Sequence, residues 1–255
     1  MKRLGLPAGL PLLLLLAASG LAQAAPAGWE RWGRIESLAG KGCVVLAAPH
    51  GTFDAHTDEI TREAARRTGY PALLATGFVE HPFGERPRRI NVNRPTEGAR
   101  LRAGEEPSTP RARDVFSEYS RRVKDGLHGR SPALYVEIHG QSQVPGAAEV
   151  AVKGFGREDA LALKRIWEEE RRSAGEEGRL FEDIQVRVEP ADAIRYRAAA
   201  SKRIGAISQV ERALHFELPR RMRFEEGPRA AAARLLARVL PRFFAERLGA
   251  CRAGG

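Results

Sequence analysis

The feature that most constrains this chain is a repeated alternation. Short, almost wholly apolar β-type runs are each followed by a longer segment with helical spacing. Val44-Val45-Leu46-Ala47-Ala48 is the clearest run. Five consecutive apolar residues leave no polar face, which is how a strand reads when both sides of its sheet are covered. Pro49-His50-Gly51 ends the run as a turn. Helical spacing follows over residues 57–67, with Thr57 as cap and Gly69 as stop. Residues 71–78 and 89–93 read as strands, 114–127 as a helix, 133–138 as a strand and 149–153 as an edge strand. A charged helix follows over 157–172, with Leu161, Leu163, Ile166 and Trp167 on its apolar side. Strands at 184–188 and 213–218 precede a long helix at 228–248, broken or kinked near Pro241. Residues 95–112, rich in Pro, Gly, Arg and Glu, read as a long loop of the kind that often carries function.

Strands alternating with helices predict an α/β fold, a single three-layer domain with a mixed, mainly parallel sheet flanked by helices. Ligands of such sheets bind beyond the carboxyl ends of the strands. That rule directs attention to the polar residues that close each apolar run.

The first residues belong to a different class. Lys2 and Arg3 precede the apolar run Leu10–Ala18, and Ala22-Gln23-Ala24 is a small-x-small cleavage signal. This predicts a signal peptide over residues 1–24, a domain over 25–255, a periplasmic or secreted location, and no membrane attachment after cleavage. Cys43 and Cys251 would then meet an oxidising compartment. Either they form a disulfide, or Cys43 is buried and Cys251 sits in a loose tail. With no CxxC, a thiolate zinc site of the finger type is excluded.

The formal net charge of +10 raises nucleic acid as a partner. Lys2 and Arg3 contribute two of those charges. The remainder shows no aromatic-rich basic stripe and no helix-turn-helix or ribonucleoprotein signature. Arg and Glu interleave over 165–172, as on a solvated helix face with internal ion pairs. No nucleic-acid partner is expected.

Four strand ends carry the chemistry. The first gives His50, with Asp54 four residues later and Asp58 eight later. The second gives Asn93 and Arg94, the third Glu137 and His139, and the last His215 and Glu217. The chain holds six histidines, and three of them lie at or in these runs. Two histidines and one carboxylate with an open fourth position form a catalytic zinc arrangement. Zinc held this way brings the pKa of bound water to about 7 and polarises a carbonyl. A separate carboxylate then serves as general base and proton donor. His50, Asp54 and His139 supply the metal ligands and Glu217 the base, with His56 and Asp58 as alternative ligands.

The ordered set PHG(x)₂D, VNR, EIH and a late F-E, spanning about residues 43–223, resembles the zinc carboxypeptidase-type amidohydrolase superfamily. Within it the set is most similar to the N-formylglutamate amidohydrolase family and its poly-γ-glutamate hydrolase relatives. The resemblance implies zinc (Zn2+) on His50, Asp54 and His139, with Glu217 as general base. It implies that Asn93 and Arg94 hold a substrate carboxylate. It also implies an upstream arginine that polarises the scissile carbonyl, with Arg86 favoured by spacing over Arg88 and Arg89. Three departures stand out. The acid sits four residues after the first histidine, where relatives place it three or five after. Asn91 stands where Asp is common, and Glu137 stands where an Asp commonly precedes the ligand histidine by two. Glu137 would orient a ligand histidine from behind. Arg220, Arg221 and Arg223 either extend an anion pocket or form a solvated basic turn, and the latter is favoured.

The expectation is therefore an exported zinc-dependent amidohydrolase. Its substrate would be a small acidic acyl-amino acid or peptide, such as N-formylglutamate or a γ-glutamyl compound. The alternative is a degenerate relative that binds anionic peptide or cell-wall fragments without cleaving them.

Overall fold

The computed structural model describes residues 28–81, 88–98, 106–125, 127 and 129–251. The expected signal peptide, residues 1–24, and Arg86 lie outside them.

The main sheet is built from β1 (Gly33–Leu38), β2 (Val44–Ala48), β3 (Ala72–Gly77), β7 (Leu134–Gln141), β8 (Ala147–Lys153), β9 (Gln185–Val188) and β10 (Ala213–Pro219). Its order is β1-β3-β2-β7-β10-β8-β9. The central strands β3, β2, β7 and β10 run parallel to one another. β1 joins β3 antiparallel at one edge, while β8 pairs antiparallel with β10 and parallel with β9 at the other. The mixed, mainly parallel α/β sheet expected from the alternation is present.

Helices α1 (Thr57–Thr68), α3 (Arg157–Ser173) and α6 (Glu226–Leu248) cover one face. Helix α2 (Pro110–Asp125) covers the other. β2 shows why its sequence is apolar throughout: Val44 and Leu46 enter the first core, and Val45 and Ala47 the second. Trp167 of α3 is fully buried, its ring 6.2 Å from that of Phe216 on β10. Loss of such an aromatic to Ala costs about 3–5 kcal/mol. A small second sheet of β4 (Val79–Glu80), β5 (Arg88–Ile90) and β6 (Glu97–Gly98) is separate in its hydrogen bonding, with Ile90 packed into the α2-side core. Short helices α4 (Glu176–Arg179) and α5 (Ala199–Ile204) complete the set.

Several expectations shift. Residues 89–93 do not form a main-sheet strand: β5 stops at Ile90 and belongs to the small sheet. β8 is interior, since β9 covers its outer side, and β9 is the edge strand. Helix α6 runs through Pro241, because Leu236, Val239, Leu240 and Phe243 pack on both sides of it and tertiary burial outweighs the local cost. On α3, Leu161 is exposed and Ala160 takes the buried position. His56, not Thr57, occupies the N-cap of α1, in a left-handed conformation at φ 70° and with no side-chain cap bond. The cysteine alternatives resolve to a Cys43–Cys251 disulfide, which ties the chain end to the residue preceding β2.

Candidate metal centre

Strand periodicity assembles the site. Successive side chains alternate faces, so Tyr135, Glu137 and His139 of β7 form one column, and Ala213, His215 and Glu217 of β10 form another. Tyr135 and Ala213 lie in the α2-side core, so both columns rise on that face. The parallel register sets Glu137 beside His215 and His139 beside Glu217. The columns end at the carboxyl edge of the sheet, and β7 runs on through His139 to Gln141 rather than stopping before it.

His50 joins them from the turn after β2. Asp54 N–H donates to His50 O at 2.6 Å and Gly51 N–H to Ala75 O at 2.9 Å, which folds the loop back on itself. A Cβ on Gly51 would stand 2.7 Å from Asp58 Cβ, so this close turn requires glycine. The turn brings Asp54 Oδ2 to 3.2 Å from His50 Nδ1 and 3.0 Å from His139 Nδ1. One ligand atom from each of His50, Asp54 and His139 lies within 4.8 Å of the others, and all three residues are buried. His56 and Asp58, the sequence alternatives, stay outside. His56 Nδ1 meets Glu59 at 2.8 Å, and half-buried Asp58 packs under Gly51.

Two imidazoles and one carboxylate converging in this way fit a divalent cation by donor type. The surroundings fit as well. His139 Nε2 lies 3.1 Å from Glu137 Oε2, the carboxylate–histidine arrangement that fixes a ligand ring from behind. His50 Nε2 is buried with no hydrogen-bond partner among the described residues. Burial depresses the His50 pKa to about 3, with the charge of Arg89 adding to the effect, so this ring is neutral. Burial also acts to lower His139, but hydrogen bonds and charges from Asp54 and Glu137 outweigh it and raise the pKa to about 10. Burial opposes ionisation of Asp54 and Glu137, yet their histidine partners hold both carboxyls below the usual range.

Glu137 is a fully buried hub. Its Oε2 also meets His215 Nδ1 at 2.9 Å and accepts from Asn93 Nδ2 at 3.0 Å, and its Oε1 accepts from Tyr135 Oη at 3.1 Å. Tyr119 Oη of α2 meets Tyr135 Oη at 2.8 Å and extends the chain of contacts into the core. Tyr135 was readable from its position two residues before Glu137; Tyr119 carried no such signal.

A cleft of about 840 Å³ opens over these groups, lined by His50, Asp54, His139, His215 and Glu217 and by several arginines. Glu217 Oε1 lies 3.2 Å from His215 Nε2. Of the three upstream arginine candidates, Arg89 lines the cleft. It lies in the field of both Asp54 and Glu217, with its guanidinium 4.4 Å over the Phe53 ring.

The Asn-Arg pair is arranged differently from the expectation. Asn93 is fully buried against Glu137 and does not face the cleft. Arg94 reaches the cleft wall, but Glu106 occupies its guanidinium fork through contacts of 2.8–2.9 Å. Asn91 Nδ2 and Thr96 Oγ1 also donate to that carboxylate, at 3.1 and 3.0 Å. The Asn91 departure now has a physical reason: an aspartate there would set a second carboxylate against Glu106. Nothing in the sequence of the expected loop distinguished Glu106.

Arg223 is not the solvated residue expected. It is buried and donates to the carbonyls of Leu218, Ala55 and Gln141 at 3.1, 2.6 and 3.3 Å, binding the ends of β10 and β7 to the turn after β2. Gly140 makes room for it, since a Cβ there would fall 2.2 Å from Arg223 Cζ. Arg221 is exposed and pairs with Asp183, and Arg220 is exposed at the cleft.

No protein-family model matches the sequence, and no curated protein matches it. Among solved structures, the chain is similar to a gene product of Agrobacterium tumefaciens. The identity is 13% and the TM-score 0.54, over 85% of this chain and 98% of that one. It is similar to an N-formylglutamate amidohydrolase from Ralstonia eutropha at 15% identity and TM-score 0.49, over 84% and 98%. A bacteriophage poly-γ-glutamate hydrolase matches at 11% and 0.49, over 84% and 91%. The likeness is one of fold.

Proposed function

We propose that the protein is a zinc-dependent amidohydrolase acting on a carboxylate-bearing substrate of the N-formylglutamate, γ-glutamyl or peptide type. The observation that carries this reading is the convergence of His50 Nδ1 and His139 Nδ1 on Asp54 Oδ2, with Glu217 on the adjacent strand. His50, Asp54 and His139 would hold the metal. When bound, zinc supplies Lewis acidity toward a carbonyl and acidifies a water.

The chain's own groups do the rest. Glu217 takes the proton of the attacking water at its carboxylate and delivers it to the leaving nitrogen as the C–N bond breaks. Arg89 stabilises negative charge developing on the carbonyl oxygen from its site beside Asp54 and Glu217. Glu137 holds the His139 ring through Nε2, and Asn93, Tyr135 and His215 hold Glu137. The arginine-rich wall draws an anionic substrate into the cleft.

The same proposal includes export to a periplasmic or secreted location. The signal-like residues 1–24 and the Cys43–Cys251 disulfide support it, as disulfides persist in oxidising compartments. No described helix is long and apolar enough to cross a membrane.

The test is zinc quantification combined with an amidase screen on acidic acyl-amino acids and γ-glutamyl peptides. Glu217→Gln is expected to retain zinc and lose about 10²–10⁴ in kcat. Turnover near wild type in that variant removes Glu217 from the base role.

A further inference from the structure

The cleft arginines differ in what they have left to offer. Arg94, at the place where the motif would hold a substrate carboxylate, already holds Glu106, whose side chain is only 4% exposed. Arg223 commits its nitrogens to three main-chain carbonyls. Arg89 lies over Phe53 and 3.7 Å from Glu106, and Arg197 lies 3.6 Å from Glu189. Arg195 and Arg220 remain. Both are exposed, both line the cleft, and neither has a carboxylate partner among the described residues.

Each lines the same cleft as Glu217. Arg220 follows β10 directly, and its guanidinium lies 3.9 Å over the Phe224 ring, which steadies it at the rim. Arg195 is held through its backbone. Buried Glu149 pairs with Glu217 in the β8–β10 register, and its Oε2 accepts the main-chain N–H groups of Arg195 and Tyr196 at 2.9 and 3.0 Å. This anchor fixes the segment carrying Arg195 to the strand next to the proposed base.

We propose that the anionic end of the substrate is read by Arg195 and Arg220, and that the Arg94–Glu106 pair is a permanent part of the wall. The proposal rests on the amidohydrolase reading for the identity of the substrate. A carboxylate is the ligand class, because an arginine with no carboxylate of its own still offers one a charged N–H fork. Substrate selection then lies on the β8 and β10 side of the cleft, away from the Asn93-Arg94 motif.

Calorimetry with glutarate, which has two carboxylates and no amide, and with butyrate, which has one, tests this in the full-length protein. Arg195→Ala and Arg220→Ala are each expected to weaken glutarate by about tenfold, the scale of one charged hydrogen-bonded contact, with butyrate and the melting temperature unchanged. Glu106→Gln is expected to leave glutarate within about twofold, a negligible free-energy change. Glutarate unaffected in both arginine variants overturns the proposal, as does about tenfold tighter binding in Glu106→Gln, which would mean that Glu106 masks Arg94. Absence of glutarate binding to the wild type overturns it too. Amide turnover by the wild type is scored separately. Turnover with unaffected glutarate in the variants sinks this proposal alone. Weakened glutarate in a protein that cleaves no amide sinks the hydrolase reading alone.

Discussion

Two clefts of nearly equal size lie at opposite ends of the parallel strands. The one at the carboxyl ends, about 840 Å³, collects His50, Asp54, His139 and Glu217. The one near the disulfide, about 820 Å³, is lined by Cys43, Lys153, Arg212 and Arg247 among others. At that second end, two of the lining cations are already satisfied. Lys153 Nζ donates to Ile207 O and Ser208 O at 3.1 and 2.9 Å, and Arg247 pairs with Asp159 at 2.7 Å. No group of metal-ligand side chains among the described residues lies there. Volume therefore does not mark the site. Convergent metal-ligand side chains do, and among the described residues they lie only at the carboxyl end.

That contrast can be broken by substitution at either end. The largest effect is expected from Glu217→Gln, about 10²–10⁴ in kcat with zinc retained. Next is Glu137→Gln. It removes the charge that fixes His139 and is expected to weaken zinc about 10–100-fold, read by competition with a chelating dye. If zinc affinity is unchanged, Glu137 does not support the metal.

A pH series sharpens the same end. In the metal-free protein His139 titrates near pH 10, above its unfolded value of 6.5, so its stabilising contribution is complete below about 6.5 and is lost as pH rises through 10. The proton on His139 must leave before this ring can coordinate. Zinc affinity is expected to rise about tenfold per pH unit between pH 7 and 9, with about one proton released per zinc. Calorimetry in buffers of different ionisation heat measures that proton. Affinity flat across this range would contradict the shared Asp54–His139–Glu137 contact.

The smallest catalytic effect is expected at the opposite end. Cys251→Ser should lower stability by about 2–4 kcal/mol in denaturant unfolding and leave kcat of the folded protein unchanged. A kcat loss there would erase the distinction between the two clefts.

Much of this was readable because period-two alternation carries both fold and site. An apolar run such as Val44–Ala48 announces a covered strand. Once β7 and β10 are parallel neighbours, Glu137, His139, His215 and Glu217 must share a face. The donor set was legible for the same reason, as Asp54 is local to His50. Contacts that depend on loop paths were not. Glu106 lies in a stretch with no periodicity, and its capture of Arg94 is a tertiary event. Asn93 was misplaced because β5 ends at Ile90, so the Asn-Arg pair lies in a loop that sets Asn93 against Glu137 rather than at an open strand end. Arg223 lay in a basic run that reads as solvated, and its burial depends on the space left by Gly140, 83 residues upstream in the sequence.

The central claim is that His50, Asp54 and His139 together bind one divalent metal. Elemental analysis of protein purified without chelator tests it directly, with the wild type and Asp54→Ala measured side by side. The account predicts about one zinc per wild-type chain and almost none in the folded variant, as for a three-ligand site. Substoichiometric metal in the wild type, or the same metal content in both, would contradict it.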